Sequence, residues 1–108
     1  MLFRSAAEIT AAAVPLIPRA RDMAERRAIP GGTERNLASV AEGVTFAGGI
    51  GEAVRVLLAD AQTSGGLLIA VPPDRAPDLV AALQHEDAPT AAIIGRVTAG
   101  TPGRVAVV

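Results

Sequence analysis

The sequence predicts an α/β protein in which helices pack on a mixed β-sheet. Segments with a helical spacing of apolar residues alternate with short apolar runs, which favours a helix-on-sheet arrangement. Half of the 108 residues are apolar but only two are aromatic, so Ala, Val, Leu and Ile must build the core. A chain of this length forms one domain with one core. The predicted order of elements is β, α, short α, β, α, β, α, β, β.

The first half of the chain is predicted to hold a strand near residues 6–10, a helix over 17–28 and a brief strand over 44–46. Pro30-Gly31-Gly32 is expected to end the helix, because proline and glycine after a periodic segment are typical stop signals. Thr33 is then expected to cap a short helical turn that follows it.

The second half contains the clearest helix, over residues 50–59, where apolar residues recur at i, i+3, i+4, i+7 and i+8. The continuous apolar run Leu67–Val71 predicts a buried central strand. A further helix is predicted over 74–84. Two strands, over 91–98 and 104–108, are expected to form a hairpin around a proline–glycine turn.

The composition excludes several kinds of active site. The chain has no cysteine, so it has no disulfide, thiolate nucleophile or sulfur ligand for a metal. All ten basic residues are arginine, which does not deprotonate at ordinary pH and so serves neither as nucleophile nor as general base. His85 is the single histidine, and its place at a predicted helix end fits a favourable interaction with the helix C-terminus. A metal site would have to use carboxylates.

The charge and hydropathy patterns narrow the range of partners. The net charge is −1 and no basic stripe is present, so we expect no nucleic-acid partner. No apolar run approaches the roughly 18 residues that indicate a membrane span, so we expect no membrane partner and a soluble, cytoplasmic protein.

The most unusual segment is a loop that concentrates polar chemistry, and it consists of Asp60, Ala61, Gln62, Thr63, Ser64, Gly65 and Gly66. Paired glycines let the backbone approach a ligand, and consecutive N–H groups can hold an anion. Asp60 is a candidate Mg²⁺ ligand. However, this loop runs from a helix to an apolar run, whereas a phosphate loop usually leads into a helix N-terminus. A structural turn with a left-handed glycine and a ligand-facing loop therefore both stay open.

A second polar cluster contains Gly31, Gly32, Thr33 and Asn36. A helix stop followed by an N-cap explains each of these residues except Asn36. The glycines of segment 48–51 are typical of a tight β-to-α connection and are a weak ligand signal. Arg96 and Arg104 are expected to pair with carboxylates on the sheet or with a partner domain. No catalytic triad and no carboxylate pair with acid–base spacing is recognisable, so the chain contains no self-contained active site.

Four motifs, in matching order, resemble the C-terminal domain of selenophosphate synthetase (selenide, water dikinase), of the aminoimidazole ribonucleotide synthetase-like superfamily. The most specific is Asp60–Leu68, which resembles the family's D-P-Q-T-S-G-G-L-L. The other three are Val14–Pro18 for V-P-L-L-P, Pro30–Leu37 for P-G-G-T-x-x-N-L, and Ile94–Val97 for I-G-x-V. The resemblance extends over about residues 6–108.

The resemblance implies a reaction and a division of labour. ATP, selenide and water would give selenophosphate, AMP and phosphate. In this family an N-terminal domain carries the reactive cysteine or selenocysteine, a lysine and most of the Mg²⁺-binding acids. The resemblance therefore implies ATP and Mg²⁺ as cofactors, held mainly by an N-terminal ATP-binding domain that is the expected partner of this chain. Loop Asp60–Gly66, and secondarily Gly31–Asn36, would face the interdomain site.

The sequence also departs from the family pattern. The catalytic cysteine or selenocysteine and the lysine are absent, so no catalytic residue is expected here and the isolated chain is expected to be inactive. A D-V-T-G-F-G-L-L-G-H segment that opens the family's C-terminal domain is also absent. Ala61 stands where proline is usual. We therefore divide the chain into an unplaced leader, residues 1–5, and a domain over 6–108 that is truncated at its N-terminal side.

Two further expectations concern association and function. We expect a homodimer, since missing first elements would expose a sheet edge or an apolar helix face. Two alternative functions stay open: a non-catalytic binding or assembly module of the same fold, and the C-terminal domain of another phosphotransferase of the superfamily.

Overall fold

The computed structural model describes residues 5–108, and it confirms the predicted α/β class with helices packed on a mixed sheet. The leader predicted at residues 1–5 lies outside the described residues except for Ser5, which begins the first strand. The elements, in chain order, are β1 (Ser5–Ile9), a single 3-10 turn (Ala11–Ala13), α1 (Ala20–Glu25), α2 (Gly31–Val40), β2 (Val44–Phe46), α3 (Glu52–Leu58), α4 (Ala76–His85), β3 (Gly95–Ala99) and β4 (Val105–Val107). Within residues 5–108, no helix has the length and apolar character needed to cross a bilayer.

The four described strands form one sheet in the order β2-β4-β1-β3. β1 pairs with β3 in antiparallel fashion, with Glu8 opposite Arg96, and pairs with β4 in parallel. β4 also pairs in parallel with β2. The predicted hairpin between the last two strands is therefore wrong. β1 lies between them and offers one edge to each: on the β4 side the Ala7 N–H donates to the Arg104 carbonyl, and beside β3 the Thr10 N–H donates to the Ile94 carbonyl.

The register gives the sheet one apolar face and one face of small and polar residues. Phe46 lies opposite Val107, which in turn lies opposite Ile9, so these three side chains share the apolar face. Val107 is only 3% exposed. The guanidinium of Arg55 in α3 lies 5.1 Å from the centroid of the Phe46 ring, which places α3 over this end of the apolar face.

The helices differ from the prediction mainly at their starts. The helix predicted over 17–28 is shorter, because Arg19 has a left-handed backbone (φ 67°) and α1 begins only after it. The short turn predicted after Thr33 is instead the ten-residue helix α2, which starts at Gly31 directly after an extended Pro30. The glycines that were expected to end one helix therefore begin the next, and Thr33 is not an N-cap.

The largest error concerns the apolar run Leu67–Val71, which is not a buried strand. Leu67 and Leu68 are 90% and 79% exposed, and Ile69 is 47% exposed. Residues 62–71 make no backbone–backbone hydrogen bond with any part of the described chain. An apolar run indicates that a segment gains from being covered, but it does not specify what covers it. The four strands of the sheet pair with one another, and the apolar run is not among them.

Candidate functional site

The first turn of α2 is hydrogen-bonded to the residues that follow α3. The hydroxyl of Thr33 donates to Asp60 Oδ1 over 2.7 Å. The Thr33 Oγ1 in turn accepts a hydrogen bond from the Ala61 N–H over 3.2 Å. Thr33 is completely buried, and both functions of its hydroxyl, donor and acceptor, are used by two consecutive residues of the loop. A hydrogen bond to a carboxylate is stronger than one between neutral groups, so this contact is the main anchor of the loop.

Asn36 adds a second anchor one helical turn further along α2. Its amide Nδ2 donates to the carbonyl of Ala59 over 3.1 Å. Ala59 is the C-cap of α3, where a helix leaves carbonyl groups without intrahelical partners. Residues three apart on a helix share one face, which lets Thr33 contact the first two loop residues while Asn36 contacts Ala59, directly before them. Asn36, which had no role in a helix stop or an N-cap, thus provides a hydrogen-bond donor for a free carbonyl at the C-terminal end of α3.

The two glycines of α2 have different surroundings. A Cβ built on Gly32 would lie 3.1 Å from the Cβ of Ala61, a separation tighter than ordinary van der Waals contact. A Cβ on Gly31 would meet only the end of the flexible Arg35 side chain, at 3.4 Å. Close packing of α2 on the loop therefore depends on Gly32.

Beyond this anchor, loop residues Gln62, Thr63, Ser64, Gly65 and Gly66 are exposed. No hydrogen bond joins the Thr63 or Ser64 hydroxyl to another residue of the described chain. Neither glycine has a positive φ, so the expectation of a left-handed glycine turn is wrong. The loop thus has a fixed base and an open tip. Hydroxyls and main-chain N–H groups at such a tip can donate to an anion or to a facing protein surface.

The structure brings together the two polar clusters that the sequence singled out, and it leaves the other candidates apart. Segment 48–51 links β2 to α3 as the predicted tight connection. His85 is the last residue of α4, as predicted, with Nδ1 3.6 Å from Glu86 Oε1. Arg96 pairs with Glu8 across the sheet at 3.2 Å, whereas Arg104 donates to the main-chain carbonyl of Glu42.

Sequence reasoning missed the partners of the anchor, because two of them are main-chain groups of alanines. The Ala59 carbonyl and the Ala61 N–H carry no side-chain signal. The unexplained Asn36 was the one feature that pointed to an additional contact.

The described chain does not by itself present a Mg²⁺ site. Within residues 5–108 no three histidine, aspartate or glutamate residues approach closely enough to hold a metal ion. Asp60 is the one carboxylate of the loop, and one of its oxygens accepts the Thr33 hydrogen bond. Mg²⁺ prefers several oxygen ligands in octahedral geometry, so Asp60 would need ligands from outside this chain.

Two surface cavities lie away from the loop. One, of about 260 Å³, lies on the sheet and is lined mainly by small residues such as Ala6, Thr45 and Thr98. The other, of about 550 Å³, lies between α1, α2 and α3, beside Glu34 and Val56. Neither is lined by residues 60–66, so the candidate site is an open loop surface that needs a facing surface to enclose a ligand.

The fold and the anchored loop define an α/β domain whose polar loop faces outward from the end of a helix. The comparison with known families is consistent with this class of domain. Residues 1–108 match the family described as "AIR synthase related protein, C-terminal domain", and the chain belongs to this family. The resemblance seen in the four motifs is confirmed as well, since the curated relatives carry the name selenide, water dikinase.

The relatives share much of this chain's sequence but are far longer. The protein of Myxococcus xanthus (strain DK1622) is 46% identical over 90 residues, which are 83% of this chain and 25% of that protein. The protein of Carboxydothermus hydrogenoformans is 41% identical over 101 residues, which are 94% of this chain and 29% of that protein. The chain therefore spans about a quarter of the length of the relatives it matches.

Proposed function

We propose that this chain is the C-terminal portion of an ATP-dependent selenophosphate synthetase and lines an interdomain active site. The observation that carries the proposal is the Thr33–Asp60 contact, because it joins the two family-like motifs into one surface. The names of the relatives supply the chemistry: each is a kinase named for selenide and water. The substrates of the whole reaction would be ATP, selenide and water.

In this proposal the chain binds and orients but supplies no nucleophile or base. Thr63, Ser64, Gly65 and Gly66 donate hydrogen bonds to a phosphate group or to the facing N-terminal domain. Asp60 anchors the loop through Thr33, and its second carboxylate oxygen is available to assist a Mg²⁺ ion held mainly by other residues. ATP and most Mg²⁺ ligands belong to the partner domain, and two such pairs assemble as a homodimer.

A segment exchange tests the proposal directly. The matching segment of the Myxococcus xanthus relative is replaced by residues of this chain, and product formation from selenide and ATP is followed by phosphorus NMR. We expect the hybrid to form selenophosphate. We also expect Thr63→Ala with Ser64→Ala to reduce its rate strongly while the fold, checked by circular dichroism, is unchanged. Ser39→Ala is the matched control, because Ser39 bonds only the Asn36 carbonyl within its own helix. A folded hybrid that forms no selenophosphate would contradict the proposal.

The isolated chain provides a second test. Because the proposal assigns ATP to the partner domain, calorimetric titration of the 108-residue chain with Mg-ATP should give no measurable heat of binding. Tight binding together with ATP turnover would refute this division of labour.

A non-catalytic binding or assembly module is the second candidate, and the exposure of Leu67 and Leu68 favours it. Apolar segments of this kind commonly mark protein-interaction surfaces. The Thr63 and Ser64 substitutions in the hybrid distinguish the candidates. A loss of stability without a loss of rate per folded molecule would support the module.

A further inference from the structure

We infer that Thr33 is a positioning residue. It sets the direction in which the open tip of the loop, residues 62–66, extends away from the end of α3. Its effect on the reaction rests on the proposed function, whereas its effect on the loop does not. Thr33 and its supporting residue Asn36 both lie outside the loop that would meet the ligand.

The burial of Thr33 fixes the directions of its hydrogen bonds. A buried hydroxyl needs a partner, and an ionised carboxylate only accepts hydrogen bonds. The Thr33 hydroxyl proton therefore points to Asp60 Oδ1, and a lone pair of Thr33 Oγ1 accepts the Ala61 N–H. One atom thus contacts the side chain of one residue and the main chain of the next. Two such contacts restrict rotation of the peptide that joins Asp60 to Ala61.

Asn36 supplies a third hydrogen bond, to Ala59, the residue that precedes Asp60. Its bond to the Ala59 carbonyl means that two side chains of α2 contact three consecutive residues at the end of α3. No hydrogen bond of this kind holds residues 62–66 to the described chain. The direction of the open tip is consequently set at its base. A small rotation at Asp60 would move Thr63 and Ser64 away from any group they contact.

Conservative variants separate the hydroxyl from the packing. Thr33→Val keeps the shape of the side chain but removes both hydrogen bonds. Thr33→Ser keeps the hydroxyl but removes a methyl group. If the hydroxyl positions the loop, Thr33→Ser should behave like the wild type and Thr33→Val should not. If Thr33 acts only by packing, Thr33→Val should behave like the wild type and Thr33→Ser should not.

The first experiment uses the 108-residue chain and residue-resolved amide hydrogen exchange by NMR. We expect Thr33→Val to speed exchange at Ala61 about tenfold beyond any change in global stability, because the Ala61 N–H itself loses one hydrogen bond, the one to Thr33 Oγ1. Thr33→Ser and the control Ser39→Ala should stay close to the wild-type rate. An unchanged Ala61 rate in Thr33→Val, or Ser behaving like Val, would overturn the inference.

The second experiment repeats the variants in the active hybrid. Thr33→Val should lower kcat about tenfold while the KM for ATP changes by less than about twofold, because ATP is assigned to the partner domain. Thr33→Ser should restore kcat. If the unsubstituted hybrid is inactive, the proposed function fails and the exchange data alone decide the positioning role. An active hybrid in which Thr33→Val keeps full kcat would overturn the positioning role and leave the proposed function intact.

Discussion

Gly32 of α2 packs against Ala61, in the loop that follows α3, closely enough to leave little room for a side chain at position 32. A Cβ on Gly32 would lie 3.1 Å from the Ala61 Cβ, although Gly32 itself is helical and has no positive φ. Glycine is therefore needed at position 32 for space and not for backbone freedom. Its neighbour Gly31 has the same helical environment without the close contact.

This difference predicts opposite effects for two equivalent substitutions. Alanine in a helix is more favourable than glycine by about 0.5–1 kcal/mol, so Gly31→Ala should raise the free energy of unfolding by up to about that amount. Gly32→Ala should gain nothing or lose stability, because Ala61 must move by a few tenths of an ångström. Urea unfolding measures both, and equal stabilisation by the two variants would contradict the contact.

Gly95 is predicted to be the glycine least able to accept a side chain. A Cβ there would overlap the Glu8 carbonyl oxygen and lie 3.0 Å from the Ile9 Cα, and both are main-chain atoms of the paired strand β1. Relief would require separating β1 from β3, so Gly95→Ala should cost about 3 kcal/mol or more. Gly49→Ala is the control, since nothing lies within 4 Å of its Cβ, and it should change stability by less than about 0.5 kcal/mol. Thermal and urea unfolding of both variants test this prediction.

Arg55 is predicted to stabilise the contact between α3 and β2. Its guanidinium lies 5.1 Å from the Phe46 ring centroid, and its Nε donates to the Ile50 carbonyl over 2.9 Å. Arg55→Met removes both interactions and should cost about 1–2 kcal/mol. Arg55→Lys keeps a cation near the ring but loses the planar donor, so it should cost less. Equal unfolding midpoints for Arg55→Met and the wild type would show that neither interaction contributes.

The fold class and several elements could be predicted because they depend on local patterns. Val44–Phe46 forms the predicted strand, and the periodic segment after Gly51 forms α3. Strand pairing could not be predicted in the same way. The proline–glycine turn before Arg104 is compatible with a hairpin, but β1, almost a hundred residues away in sequence, takes the place between the last two strands.

The sequence predicted which residues belong to the candidate site, but not the hydrogen bonds that join its two polar clusters. Asp60 and Thr33 were each singled out by local chemistry, yet they are 27 residues apart and nothing in their spacing predicts a contact. Asn36 carried the only hint, because it had no role in a helix stop or a cap. Contacts that use the main chain of alanines leave no trace in a single sequence, so the anchor required the structure.

The apolar run after the loop gives a final prediction, in which two aliphatic residues behave differently. Val107 is 3% exposed in the centre of the sheet, so Val107→Ala should remove about two buried methylene equivalents and cost about 2 kcal/mol. Leu67 is 90% exposed, so Leu67→Ala should change the free energy of unfolding by less than about 0.5 kcal/mol despite its larger truncation. Urea unfolding of both variants is measured in dilute solution, where self-association does not contribute. If Leu67→Ala proved as costly as Val107→Ala, the apolar run would be packed against the protein in solution, which would contradict the exposure of Leu67.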